Sequence, residues 1–293
     1  MQSSVTRLLA TPRADDEDGP GMGAGMGTGM DRCHRPRGRT KAPLRRLRLH
    51  RGTIMALIVL RSAPAVEPAD GVLVVLPPDA VILFQGDSIT DGNRGRNQDP
   101  NHILGHGYQF IIAADVGAHQ PERHFRFLNR GVSGSTIDDL ARRWQDDVIT
   151  TKPDLLSILI GINDFTHVVD GRATGTAADY ERAYDALLTE TRRVLPGIRF
   201  VLGEPFILPA GKREADYQQL LAGLQPYQAA VGRLAARHQA PVVHYQHLFA
   251  TACARAPAAY WVWDGVHPTY AGHGLMASEW MRTVDAYYGH RIP

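Results

Sequence analysis

Four short blocks of this chain carry residues able to do chemistry: Gln85-Gly86-Asp87-Ser88-Ile89-Thr90, Val132-Ser133-Gly134-Ser135-Thr136, Gly161-Ile162-Asn163-Asp164 and Trp263-Asp264-Gly265-Val266-His267-Pro268. A serine hydroxyl attacks poorly at neutral pH until a base takes its proton, and a neutral imidazole is the usual base. His267 can serve Ser88 in this way if Asp264, three residues earlier, accepts from Nδ1 and leaves Nε2 for the hydroxyl. The oxyanion that forms needs donors, and the Ser88 N–H, the Gly134 N–H and the Asn163 side-chain amide could supply them. Losing one such donor typically costs about 10²- to 10³-fold in rate. Gly131 competes with Gly134 for the glycine's part. The chemistry predicted is acyl transfer through Ser88.

These residues are far apart in sequence, so the elements between them must bring them together. Short apolar runs predict strands over Ala80–Phe84, Phe125–Leu128, Leu155–Ile160, Ile198–Leu202 and Pro241–Val243. Amphipathic stretches predict helices over Gly107–His119, Thr136–Ile149, Tyr180–Val194, Asp216–His238 and Tyr270–Tyr288. Thr136, followed by Asp138 and Asp139, reads as a capped helix start, and Pro226 is expected to kink or split its helix. Strands buried on both faces and alternating with helices predict an α/β fold, a three-layer α/β/α sandwich with a parallel sheet. Ligands in such folds bind beyond the C-terminal strand ends. All four blocks fall there or just before the last helix.

Four blocks in this order, GDSIT, the glycine in VSGST, GIND and DGVHP, resemble those of the SGNH (GDSL) hydrolase superfamily over about Val81 to Trp280. The resemblance implies a flavodoxin-like sheet of about five parallel strands. It also implies Ser88 as nucleophile, His267 as base, Asp264 as its orienter, and Ser88, Gly134 and Asn163 as the oxyanion hole. The longer phrases FQGDSITD, NRGVSGSTIDDLARRWQDDVI, KPDLLSILIGINDF and YWVWDGVHPTYAGH are similar to a bacterial branch that includes acetyl-xylooligosaccharide esterases. That branch implies a serine esterase removing acetyl groups from carbohydrate, with a small acylated substrate, no cofactor and room for a homo-oligomer. The alternatives keep the fold with a lipid or thioester substrate, as in a short-chain lipolytic esterase, lysophospholipase or thioesterase, or make the chain a non-catalytic binding protein with a basic recruiting tail. Intact Ser88, Asp264 and His267 argue against the last.

Candidate substrate-binding residues are Trp263, Phe165 and Asp87. Trp263 adjoins Asp264 and suits a pocket wall, Phe165 follows the Asn163-Asp164 pair, and Asp87, like Asp164, is expected to act mainly by hydrogen bonding beside a catalytic position. His273 reads as structural, because a helix would turn it away from His267. His102 and His106 lack carboxylates at a zinc-like spacing, so no metal is expected. There is no GxSxG elbow and no phosphate-binding GxxxxGK[ST] loop.

With 44% hydrophobic and 21% charged residues, the chain can bury a core, which excludes disorder throughout. The net charge of +2 conceals an uneven distribution, since residues 1–65 hold 12 Lys/Arg against 5 Asp/Glu while the rest is net acidic. Residues 1–70 read as a disordered basic N-terminal extension, with a GMGAGMGTGM run and an arginine-rich stretch from Arg32 to Arg51, and residues 71–293 as the catalytic domain. Met55 is a candidate natural start. Those arginines could hold phosphates, but no aromatics interleave, so neither nucleic acid nor membrane is expected as a partner. Cys33 and Cys253 form no zinc or disulfide pattern, which suits a reducing compartment and an expected cytoplasmic location. The apolar run from Thr53 to Leu60 is closed by Arg61, so secretion is the minority expectation.

Overall fold

The computed structural model describes Leu73, residues 75–97 and residues 99–289; the expected N-terminal extension and the Thr53–Leu60 run lie outside them. Five strands form one sheet: β1 (Val81–Gly86), β2 (Arg126–Asn129), β3 (Leu155–Leu159), β4 (Arg199–Gly203) and β5 (Val242–Val243). Their order is β2-β1-β3-β4-β5 and every pairing is parallel, with Phe84 opposite Asn129 on one side and Ser157 on the other. Parallel strands need crossovers, and helices on both faces supply them. That is why β1 and β3 are buried along their whole length and read as continuous apolar runs.

The helices fall into two groups. Helix α1 (Ser88–Asp91) is a single turn at the end of β1; α2 (Tyr108–His119) packs on α9 (Tyr270–Val284), and α3 (Ile137–Trp144) packs on α5 (Ala177–Val194), which in turn packs on α6 (Tyr217–His238). Polar anchors tie the elements together: Trp280 Nε1 donates to Ser157 Oγ on β3 at 2.9 Å, and Trp144 Nε1 on α3 donates to Thr191 Oγ1 on α5 at 2.8 Å. Thr136 caps the start of α3 as expected, and Asp139 answers it to complete a reciprocal capping box. Among the described residues, no helix is long and apolar enough to cross a membrane.

Three sequence expectations change. The helix from Thr136 and the last helix each end in a π turn, at Gln145–Ile149 and Asp285–Gly289. Pro226 does not split α6, which continues from Tyr217 to His238. Pro226 faces solvent, where water can satisfy the carbonyl it leaves unbonded, while its neighbours Leu224 and Tyr227 are buried and hold the helix to the core. Helices α4 (Ile162–Val169), α7 (Tyr245–Ala252) and α8 (Ala258–Trp261) occupy stretches where no helix was predicted.

Candidate active site

The C-terminal ends of β1, β2 and β3 meet the loop before α9. Asp87 caps α1, its Oδ1 accepting from Ile89 N–H at 3.0 Å, and this turns Ser88 out at the first helical position. Ser88 Oγ lies 2.8 Å from His267 Nε2, and His267 Nδ1 lies 2.7 Å from Asp264 Oδ2. The second Asp264 oxygen accepts from the backbone N–H groups of Val266 and His267 at 3.0 and 2.7 Å, so the carboxylate cannot swing away from the ring. A bridge between Val262 and Pro268 and a bond from Trp263 N–H to His267 O pin the loop itself.

Electrostatics follow from this wiring. Burial alone would raise the Asp264 carboxyl, but hydrogen bonds from the His267 ring and from two backbone N–H groups outweigh it and hold the group at about 2. The hydrogen bond to Asp264 in turn raises His267 above the ordinary imidazole range, against the opposing effect of burial. A ring held by an ionised partner keeps its Nδ1 proton and leaves Nε2 as the acceptor facing Ser88.

Gly134 adopts φ +82°, and a Cβ there would meet nothing within 4 Å, so its Cα borders open space. Gly131, the competitor, is a packing glycine: a Cβ would come within 2.5 Å of Asp91 N. Asn163 Nδ2 donates one proton to Ser135 O at 3.1 Å, which aims the amide along the same loop and leaves its second proton available. An oxyanion placed between Ser88, Gly134 and Asn163 would find donors from three strand ends.

Two carboxylates hold that loop, and sequence reasoning overlooked one of them. Asp91 Oδ2 accepts from both the N–H and the hydroxyl of Ser133 at 3.0 Å, while Arg96 clamps the same carboxylate with two nitrogens at 3.1 and 2.9 Å. Burial opposes its charge, but Arg96 and Ser133 together keep Asp91 below the ordinary carboxyl range. In the sequence, Asp91 looks like any acid in a first helical turn. Asp164 accepts from Ile137 N–H at 3.0 Å and so joins α4 to the start of α3. Burial raises Asp164 to about 6 and Asp87 to about 7, and one oxygen of each has no partner among the described residues.

The candidate binding residues separate. Trp263 is 62% exposed and its indole lies nearly parallel to His267, with ring centres 6.2 Å apart and planes at 24°. It walls a cavity of about 370 Å³ shared with Asn163, Arg172, Lys212, Arg213 and His267. Phe165 is only 5% exposed, set edge-on against Tyr227, and Asp87 is fully buried. Neither reaches the surface where a substrate would bind, which corrects the expectation for both; Asp87 acts on its own helix turn instead. His273 is structural as expected, its Nδ1 accepting from Tyr108 N–H at 3.1 Å. Among the described residues, no group of three or more His, Cys, Asp or Glu side chains is placed to hold a metal ion.

Comparisons with known proteins agree with this arrangement. Residues 84–275 match the model of the GDSL-like lipase/acylhydrolase family. An acetylxylan esterase of Geobacillus stearothermophilus is 32% identical over 209 residues, covering 69% of this chain and 93% of the relative. A protein of Parabacteroides merdae assigned as a GDSL-like lipase superposes with a TM-score of 0.67 at 37% identity, covering 71% of this chain and 97% of its own. The structure of Axe2, an acetylxylan esterase from Geobacillus stearothermophilus, superposes with a TM-score of 0.63 at 30% identity, covering 71% and 95%. The three-layer sandwich is thus the SGNH hydrolase fold. With the family match running from the end of β1 through His267 and into α9, the chain belongs to the GDSL-like lipase/acylhydrolase family and is an esterase of small acylated substrates.

Proposed function

We propose that the chain is a serine esterase that removes acetyl groups from carbohydrate, acetylated xylooligosaccharides in particular, through an acyl-enzyme intermediate. The observation that carries the chemistry is the contact chain from Ser88 Oγ through His267 to Asp264, at 2.8 and 2.7 Å. His267 Nε2 takes the hydroxyl proton as Ser88 Oγ attacks the acetyl carbonyl, and the carbonyl oxygen becomes an oxyanion held by Ser88 N–H, Gly134 N–H and the Asn163 amide. Collapse breaks the ester bond, and the departing sugar oxygen takes the proton from His267. Water then repeats the sequence on the acetyl-serine, releasing acetate and restoring Ser88. Asp264 steadies the imidazolium in both halves.

The cavity beside this relay favours a hydroxylated acetyl ester over a long acyl chain. Each buried CH₂ gains about 0.8 kcal/mol only where apolar walls receive it. Here the aliphatic side chains are only Ile162 and Val266, while Arg172, Lys212 and Arg213 also line the space and the Trp263 face is its broad flat surface. A planar indole with polar donors around it suits a sugar ring. Likeness to an acetylxylan esterase supports the same substrate class. Initial rates on acetylated xylooligosaccharides and on p-nitrophenyl esters of increasing acyl length test the reading. Highest kcat/KM for acetyl, with the oligosaccharides at least matching the small ester, is expected; a rate rising with chain length would overturn it.

A further inference from the structure

The body of the chain is net acidic, yet one flank of the sheet is strongly basic. A cavity of about 500 Å³ beside the edge strand β2 is lined by Arg94, Arg96, Arg126 and Arg130, with Thr150 and Thr151, and no carboxylate lines it. Its geometry follows from the strand. Residues 126, 128 and 130 fall on one face at period two, so Arg126 and Arg130 project together across Leu128. The loop after α1 brings Arg94 and Arg96 to the same space.

Only part of this charge is neutralised. Arg96 is spent on Asp91, and Arg130 lies 3.8 Å from Asp147, a carboxylate that Arg143 already holds at 2.8 Å. Arg94 gives only its Nε, to Gly131 O at 2.9 Å, and its terminal nitrogens bond no group among the described residues. Arg126 makes no side-chain hydrogen bond or ion pair among the described residues. Burial, together with the neighbouring charges of Arg96 and Arg130, lowers the pKa of Arg94 and outweighs the opposing pull of Asp91 and Asp147.

We propose that this cavity is an anion-binding site, separate from the Ser88 pocket, that takes an oxyanion group, carboxylate or phosphate, between the forks of Arg94 and Arg126. Guanidinium forks match such groups with paired hydrogen bonds, and the two threonine hydroxyls add neutral donors. Its occupant touches the esterase site indirectly, because Arg94 and Arg96 both hold the Gly131–Gly134 segment, one through Gly131 O and the other through Asp91 and Ser133. The inference stands whether or not the carbohydrate reading does.

Calorimetric titration of the full-length chain carrying Ser88→Ala, with inorganic phosphate and separately with glucuronate, tests it at a constant ionic strength made up with chloride. A saturable component is expected, weakened at least tenfold by Arg126→Glu and less by Arg126→Lys, which keeps the charge but loses the fork. The basic stretch Arg32–Arg51 is present in every variant, so the difference between variants reports the cavity alone. Tighter glucuronate would place the natural anion on an acidic sugar, and tighter phosphate on a phosphorylated ligand; either supports the site. Equal affinity in all three chains, or heats that never saturate, would overturn it.

Discussion

Asp91 receives both the backbone N–H and the hydroxyl of Ser133, each at 3.0 Å, and so fixes the residue that precedes Gly134, the proposed oxyanion glycine. The helix turn that carries Ser88 thereby sets the position of Gly134. Asp91→Asn keeps the size but gives up the charge that Arg96 and Ser133 share. Small misplacements of catalytic donors are costly, and kcat is expected to fall about 10- to 100-fold, with a smaller change in KM. Steady-state kinetics on p-nitrophenyl acetate checks this, and an unchanged kcat would show that Gly134 holds its place without the brace.

The His267–Asp264 pair predicts a pH profile. Ser88 needs a neutral imidazole, and the hydrogen bond to Asp264 raises His267 above the ordinary 6.5. Activity is therefore lost as pH falls through that raised value, and the acid limb of kcat/KM should lie above 6.5. Asp264→Asn removes the cause of the rise, so the limb should move to lower pH while kcat drops by about 10⁴-fold. A limb that stays in place in the variant would separate His267 from Asp264.

Asp87 predicts an effect on stability. Its carboxyl is raised from 3.8 to about 7 by burial, so the folded chain prefers it protonated. Stability owed to that preference is present at low pH and is lost as pH rises towards 7. Asparagine can still accept from Ile89 N–H but never ionises, so Asp87→Asn should gain on the parent between pH 5 and pH 8 by at most about 3 kcal/mol. Urea unfolding of both proteins at the two pH values measures the gap, and a gap that does not widen would contradict the buried carboxyl.

Much of this is legible in the sequence. Strands β1 and β3, buried on both faces, leave unbroken apolar runs, and chemistry at parallel strand ends puts Ser88 and Asn163 just after them and Gly134 five residues after the half-exposed edge strand β2, so both could be read from local sequence. Phe165 could not. Its ring is buried because Gly223, on a helix nearly sixty residues later, has no side chain; a Cβ there would come within 2.7 Å of the Phe165 ring. Asp91 escaped notice for a similar reason, since its partner Ser133 comes from the neighbouring strand's loop. Helix α4 was missed because its short run from Ile162 follows a strand without a capping side chain.

The claim that Ser88 is the nucleophile has a direct test. Treating the full-length chain with a fluorophosphonate probe and mapping the adduct by peptide mass spectrometry should place one phosphonyl group on Ser88, with labelling and p-nitrophenyl acetate hydrolysis both lost in a folded Ser88→Ala protein. Labelling at a different serine, or labelling and hydrolysis that persist in Ser88→Ala, would contradict it.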